Sequence, residues 1–294
     1  MRRGKGKRKP GKATRKSRPN YRLGCVVLVL VLIPILYGVY MYLDDGTRRQ
    51  AESDKSVRAG SVNATLVERL QTPVTDGTTQ EQIIKHAGYT VSYNKQTRLP
   101  NWVGYELTRA ETRGRQERTD RFTADPQVKG PAATNDDYSR SGYDKGHIAP
   151  AADMKWSGRA MKESFYFSNI CPQHPRLNRQ GWKELEEKAR DWAVADSAII
   201  IVSGPILAKR PKTIGRNQVA VPQRFFKVIL SPFAKPMRAI GFLFDNAPAT
   251  APLRTYAVTV DSVERATGMD FFAALPDSVE HRVESDLNFA LWPN

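Results

Sequence analysis

Hydrophobic and polar positions change rhythm several times along these 294 residues, and each rhythm predicts a different element. From Leu23 to Leu43 ("LGCVVLVLVLIPILYGVYMYL") there are 21 residues without a charge. At about 1.5 Å per helical residue they cover roughly 30 Å, the hydrocarbon thickness of a bilayer, so residues 23–43 read as a transmembrane helix. Tyr37, Tyr40 and Tyr42 gather at its C-terminal end, where an interfacial aromatic belt would lie. Pro34 is tolerated better in a bilayer helix than in a soluble one. A cleaved signal peptide is the alternative. It would have a shorter apolar core and a small-residue cleavage site, and no clear A-x-A pattern follows here. Residues 44–84 are polar with little periodicity and read as a linker.

A globular domain is expected over residues 85–294. "YTVSYN" (Tyr89–Asn94) and "WVGYELT" (Trp102–Thr108) alternate around a turn-like "KQTRLPN", which predicts a hairpin. Arg109 to about Lys145 is irregular, and a loop that long inside a domain is usually functional. "SFYFSNI" (Ser164–Ile170) reads as a strand. Asn178–Ala195 reads as a helix, with Trp182, Leu185, Ala189 and Trp192 on one face. "AIIIVSG" (Ala198–Gly204) has the continuous apolar run of a buried strand. "RFFKVILS", "RAIGFLFD" and "YAVTVDS" predict three more strands, and "VERATGMDFF" a short helix with packing turns. The fold class is therefore α+β, a mixed and mainly antiparallel sheet flanked by helices.

Charge refines this picture. The formal net charge is +16, from 46 basic and 30 acidic residues. Eleven of the basic residues and none of the acidic ones lie in residues 1–43, which leaves 35 against 30 for the remainder. The domain is thus only mildly basic. The tail, residues 1–22, is too densely charged to build a core. As an isolated arm it would suit nucleic acid. Placed before an apolar span it predicts a cytoplasmic N-terminus and a domain across the membrane, extracytoplasmic and periplasmic if the source is bacterial. The two cysteines, Cys25 and Cys171, are far apart and imply no disulfide framework. Asn63–Thr65 fits a glycosylation acceptor triplet, a pattern that chance also produces.

Candidate chemistry centres on His147, one of four histidines, in "GYDKGHIAPAADM". A lone histidine is most often structural. This one follows a long polar loop, and Gly146 beside it leaves room for close approach to the backbone. A second polar cluster follows in "SNICPQHPRLNRQGWKELE". Asn178 either caps the helix it opens or offers a neutral amide oxygen to a hard cation such as Mg²⁺. Glu186, about two turns later, is either a solvated surface carboxylate or part of the same site.

"DKGHIAPAADM", "YFSNICPQ", "LNRQGWKELE", "VSGP" and "VPQRFFKV" together resemble the DNA/RNA non-specific endonuclease family, the ββα-metal nucleases. The matches keep their order over roughly Tyr89 to Leu275. The resemblance implies a ββα-metal motif and divalent-metal-dependent hydrolysis of DNA or RNA with little sequence preference. It implies His147 as general base, Asn178 as metal ligand and Glu186 as the carboxylate holding water on that metal. Asn169 and Gln173 match polar residues lining the site, and Asp144 a structural anchor of the histidine loop. Arg118, with Arg121 as fallback, matches a phosphate contact. The family's signature arginine is Lys145 here, which keeps charge but loses the bidentate fork. Mg²⁺ is the expected ion, with Mn²⁺ or another divalent cation as substitutes. The expected partners are DNA or RNA as substrate, the membrane through residues 23–43, and a second copy in a homodimer. Two other readings stay open: a catalytically weak nucleic-acid-binding module used in uptake or transport, and a phosphodiesterase or phosphatase for small substrates.

Overall fold

The computed structural model describes residues 65–293. The basic tail, the apolar span 23–43 and the linker up to residue 64 lie outside the described residues. Among the described residues no helix is long and apolar enough to cross a membrane.

Packed structure begins within the stretch expected as linker. Residues 65–70 are helical (α1), Leu70 is buried, and Val74 bridges Asp270. The carbonyl of Gln71 lies where a Cβ at Gly104 would stand, 1.9 Å from it, so a glycine is required there.

Seven strands form one sheet: β1 (Gln82–Lys85), β2 (Thr90–Asn94), β3 (Leu99–Thr108), β6 (Ala198–Ile206), β9 (Arg224–Ser231), β10 (Arg238–Asp245) and β11 (Ala257–Val258). Their order is β1-β2-β3-β6-β9-β10-β11, and every pairing is antiparallel, so the sheet is not mixed. Two short pairs stand apart: β4 (Asp144–His147) with β5 (Ile170–Gln173), and β7 (Thr213–Ile214) with β8 (Val219–Ala220). The helices are α2 (Asn135–Tyr138), α3 (Gly158–Ser164), α4 (Trp182–Asp196), α5 (Val260–Thr267) and α6 (Asp277–Ser285).

Strand residues alternate between two apolar clusters, as a period of two requires. Ile199, Ile201, Phe225 and Ile229 join Trp182, Leu185, Ala189 and Trp192 of α4 and Ile170 of β5 on one face. Ile200, Val202, Phe226 and Val228 join Val260 and Val263 of α5 and Val283 of α6 on the other. The sheet is thus buried on both sides, which is why its central strands read as unbroken apolar runs.

Two strand expectations fail for local reasons. Ser164–Ile170 is not a strand: Ser164 ends α3, and Phe167–Asn169 form a 3-10 turn before β5. Asn169 replaces ladder pairing with its own amide, which bonds the backbone of Ala149 in both directions and Ser164 O. "YAVTVDS" supplies only the two residues of β11. Thr259 then caps α5 by accepting from the Ser262 N–H, and Gly268, at φ 72°, ends that helix.

Candidate active site

Strands β4 and β5 and the helix after them make a ββα unit on the α4 face of the sheet. The register sets Asp144 opposite Gln173 and His147 opposite Ile170. Helix α4 is preceded by a π-helical turn, Leu177–Gly181, which carries Asn178; such turns recur at functional sites. Asn178 therefore lies inside the helical run and caps nothing.

His147 is buried against aromatic rings. The Phe165 ring meets it edge-on with centroids 4.8 Å apart, and Phe122 lies at 5.4 Å. Its Nε2 is buried without a hydrogen-bond partner among the described residues. Burial, reinforced by the Arg118 charge and opposed by Asp120, pulls its pKa down to about 3. The ring is neutral at pH 7 and able to take a proton.

Asp144 connects the strand to the helix. Its Oδ2 accepts from Asn178 Nδ2 at 3.0 Å, and Arg179 makes two bonds to the same carboxylate, at 2.8 and 2.7 Å. Burial raises the Asp144 pKa, but those hydrogen bonds outweigh it and hold the carboxyl below its ordinary value. An ionised carboxylate only accepts, so the amide nitrogen of Asn178 must face it. The carboxamide oxygen is thereby turned away and left free for a cation. Such a cradle fits a hard divalent ion, which takes oxygen ligands and few of them from protein.

Glu186 is part-buried, one turn before Arg190 on α4. Burial pushes its carboxyl up to about 8, against the pull of Lys227 and Arg190. Lys227 projects from β9, fully buried. Its Nζ donates to Ser203 Oγ at 2.8 Å and stands 4.7 Å from the centre of the Trp182 ring. Beneath, Asp153 accepts from Arg190 at 2.9 Å and from the Tyr105 hydroxyl at 2.8 Å. The charge of Arg118 depresses both His147 and Glu186, which puts one guanidinium within electrostatic reach of the two.

The remaining expected residues divide. Arg118 is half-exposed, paired with Asp120 and 4.9 Å from the centre of the Phe165 ring that packs on His147. Arg121 is exposed. Lys145 donates to Asn135 Oδ1 at 2.7 Å and lies 4.4 Å from the centre of the Phe122 ring, on the His147 side of β4. Asn169 was expected to line the site, but it is fully buried and its amide is saturated by backbone. It fixes the chain just beyond His147 and offers nothing to a ligand. Gln173 is also fully buried, with both amide atoms unpartnered among the described residues. Its Oε1 lies 2.2 Å from where a Cβ at Gly146 would stand. The space beside Gly146 is therefore taken by Gln173 rather than left for a ligand.

Sequence reasoning missed Arg179, Lys227, Asp153 and Arg190, and the aromatic walls Phe122 and Phe165. Lys227 had a signal: a lone cation in the apolar "RFFKVILS" must find a partner once buried.

Comparison with known proteins points to one family. The model of the family described as DNA/RNA non-specific endonuclease matches residues 67–278. The chain is 36% identical over 180 residues to mitochondrial endonuclease G of Bos taurus, covering 57% of this chain and 60% of that protein. It is 37% identical over 187 residues to mitochondrial nuclease EXOG of Xenopus laevis, covering 58% and 51%. The match thus spans little more than half the length of these relatives. Among solved structures, an EndoG/EndoGI complex superposes with a TM-score of 0.63 at 29% identity, covering 67% of this chain and 88% of that one.

Proposed function

The chain belongs to the DNA/RNA non-specific endonuclease family, and from that premise we propose that it hydrolyses phosphodiester bonds of DNA or RNA, with His147 as the proton acceptor. The observation that carries this reading is the pairing of one strand's two ends. Asp144 orients Asn178, and His147, three residues later, presents a neutral imidazole beside Arg118.

Each residue has a task that its surroundings support. His147 takes a proton from the attacking water. In the free protein it is a weak base, chiefly because it is buried and further because Arg118 stands near it. A diester phosphate paired with Arg118 removes that repulsion and adds an anion, so the base strengthens when substrate is in place. Lys145 attracts phosphate as a point charge. Glu186 orders water from which the departing 3′ oxygen recovers a proton, leaving 5′-phosphate and 3′-hydroxyl ends. The family works with a divalent metal. Here Asn178 Oδ1 would hold the ion, Mg²⁺ by the hardness of its ligand, and the ion would supply charge neutralisation at phosphorus. All these groups address phosphate and none reads a base edge, so little sequence preference is expected.

The N-terminal segments complete the reading: a cytoplasmic basic tail, a span through residues 23–43, and a catalytic domain outside the cytoplasm, where a homodimer can form. The test is plasmid nicking by the full chain with Mg²⁺ and with chelator. Cleavage that stops in chelator is the expected result, and Asn178→Ala should raise the Mg²⁺ concentration needed for half-maximal rate by about 10-fold or more. Intact plasmid across divalent ions, with DNA still retained in a gel-shift assay, would instead favour the binding module.

A further inference from the structure

On the sheet face opposite α4, five carboxylates from α5, α6 and the turn after α5 converge. Ligand oxygens of Asp261, Glu264 and Glu284 lie within 4.8 Å of one another, as do those of Asp270, Glu280 and Glu284. Glu284 belongs to both sets. It is 6% exposed, and its Oε1 is buried without a hydrogen-bond partner among the described residues. Among the described residues one backbone donor reaches the group, the Phe271 N–H to Glu264 Oε1 at 2.9 Å. Burial and then the neighbouring carboxylates Glu264, Glu280, Asp270 and Asp261 push the Glu284 carboxyl up to about 9.

An acidic cluster on a surface is commonplace. A carboxylate sunk to this depth, with an unsatisfied oxygen and a place in two such groups of three, is not, because an uncompensated buried charge costs several kcal/mol. A hard cation held at Glu284, where the two groups overlap, would satisfy the buried oxygen and offset the crowded charge. We propose that Asp261, Glu264, Asp270, Glu280 and Glu284 form a structural Ca²⁺ site that fastens α5 and α6 to the sheet. The calcium choice follows from ligand type and number. Ca²⁺ accepts six to eight oxygens in flexible arrangements, whereas Mg²⁺ requires a near-ideal octahedron and retains waters. Val263, Phe271 and Val283, interleaved with these carboxylates along the chain, are core residues of this face. Binding there therefore stabilises the fold rather than the chemistry.

The experiment uses full-length chain carrying Asn178→Ala, which weakens the other candidate metal position, stripped with chelator and titrated with Ca²⁺. The expected result is a saturable rise in Tm of roughly 5–10 °C at a hundredfold excess over Kd. Adding Glu284→Gln should leave a folded chain whose Tm no longer responds. In the otherwise unchanged protein, Glu284→Gln should leave the plasmid cleavage rate as it was. An unaltered Tm with Ca²⁺ would overturn the proposal and leave protonation of Glu284 as the way the cluster is relieved. A rise that survives Glu284→Gln, or a larger one with Mg²⁺ at equal concentration, would overturn it too.

Discussion

Glu186 and Glu284 are both helix carboxylates that burial pushes upward, to about 8 and about 9, yet they are handled in opposite ways. Around Glu186 the fold gathers cations from three elements: Lys227 from β9, Arg190 from α4 and Arg118 from the long loop. Around Glu284, among the described residues, it gathers the carboxylates of Asp261, Glu264, Asp270 and Glu280. A buried charge needs compensation: the first site supplies cations that offset part of the burial cost, whereas the second must draw its relief from solvent, as a proton or a cation. The difference separates a centre prepared for a substrate from one that stays incomplete until an ion arrives. Substitutions on the α4 face should therefore divide between activity and stability according to which charge they remove.

His147→Ala should produce the largest effect. A positioned general base contributes about 10²–10⁴-fold, so plasmid cleavage should fall by that order. Any fall in Tm should be only that of the cavity left between Phe122 and Phe165, because among the described residues the imidazole has no hydrogen-bond partner to strand. Cleavage at the wild-type rate would remove His147 from the chemistry and leave the α4 face as ordinary packing. Lys227→Met comes next. It strips Glu186 of the buried cation that most favours its charged form while keeping the side-chain volume against Trp182. Removing one member of a buried ion cluster costs about 3–5 kcal/mol, which thermal or denaturant unfolding would register. A loss under about 1 kcal/mol would mean that Arg190 and Arg118 suffice, and the contrast with Glu284 would narrow.

A pH titration gives a more graded effect, spread over several pH units. The folded pKa of His147, about 3, lies below its ordinary 6.5. Between those values the unfolded chain binds a proton that the folded chain refuses. Stability should thus decline as pH falls from 6.5 toward 3, by about 1.4 kcal/mol per unit from this residue. Comparing unfolding curves of wild type and His147→Ala isolates the contribution, and identical slopes would contradict the burial of the ring.

Much of this contrast was readable in the chain, for identifiable reasons. β6, β9 and β10 show as apolar runs because both faces of the sheet are covered. The β2–β3 hairpin shows because its turn residues break the alternation. His147, Asn178 and Glu186 stood out through motif order. Other features depend on contacts distant in sequence. Asn169 looked like a site residue because it is polar and near His147, but its partners are backbone atoms of Ala149 and Ser164. Asp144 looked like a loop anchor, and its hold on Asn178 crosses 34 positions. The clustering of Glu284 with Glu264 and Asp270 requires α6 to fold back on α5, which no local pattern announces.

Lys145 should yield the smallest effect, and it separates charge from geometry at the site. Its ammonium is held by Asn135 and the Phe122 ring, the same ring that packs on His147. Lys145→Arg keeps the charge, and a guanidinium stacks on an aromatic face at least as well as an ammonium. It also restores a bidentate fork for phosphate. Cleavage should therefore hold within about threefold of wild type or rise, with the gain in KM rather than kcat, since a phosphate contact present before and during reaction adds uniform binding. A loss of tenfold or more would show that the pocket between Asn135 and Phe122 is fitted to an ammonium, and that this chain has rebuilt its phosphate contact around lysine.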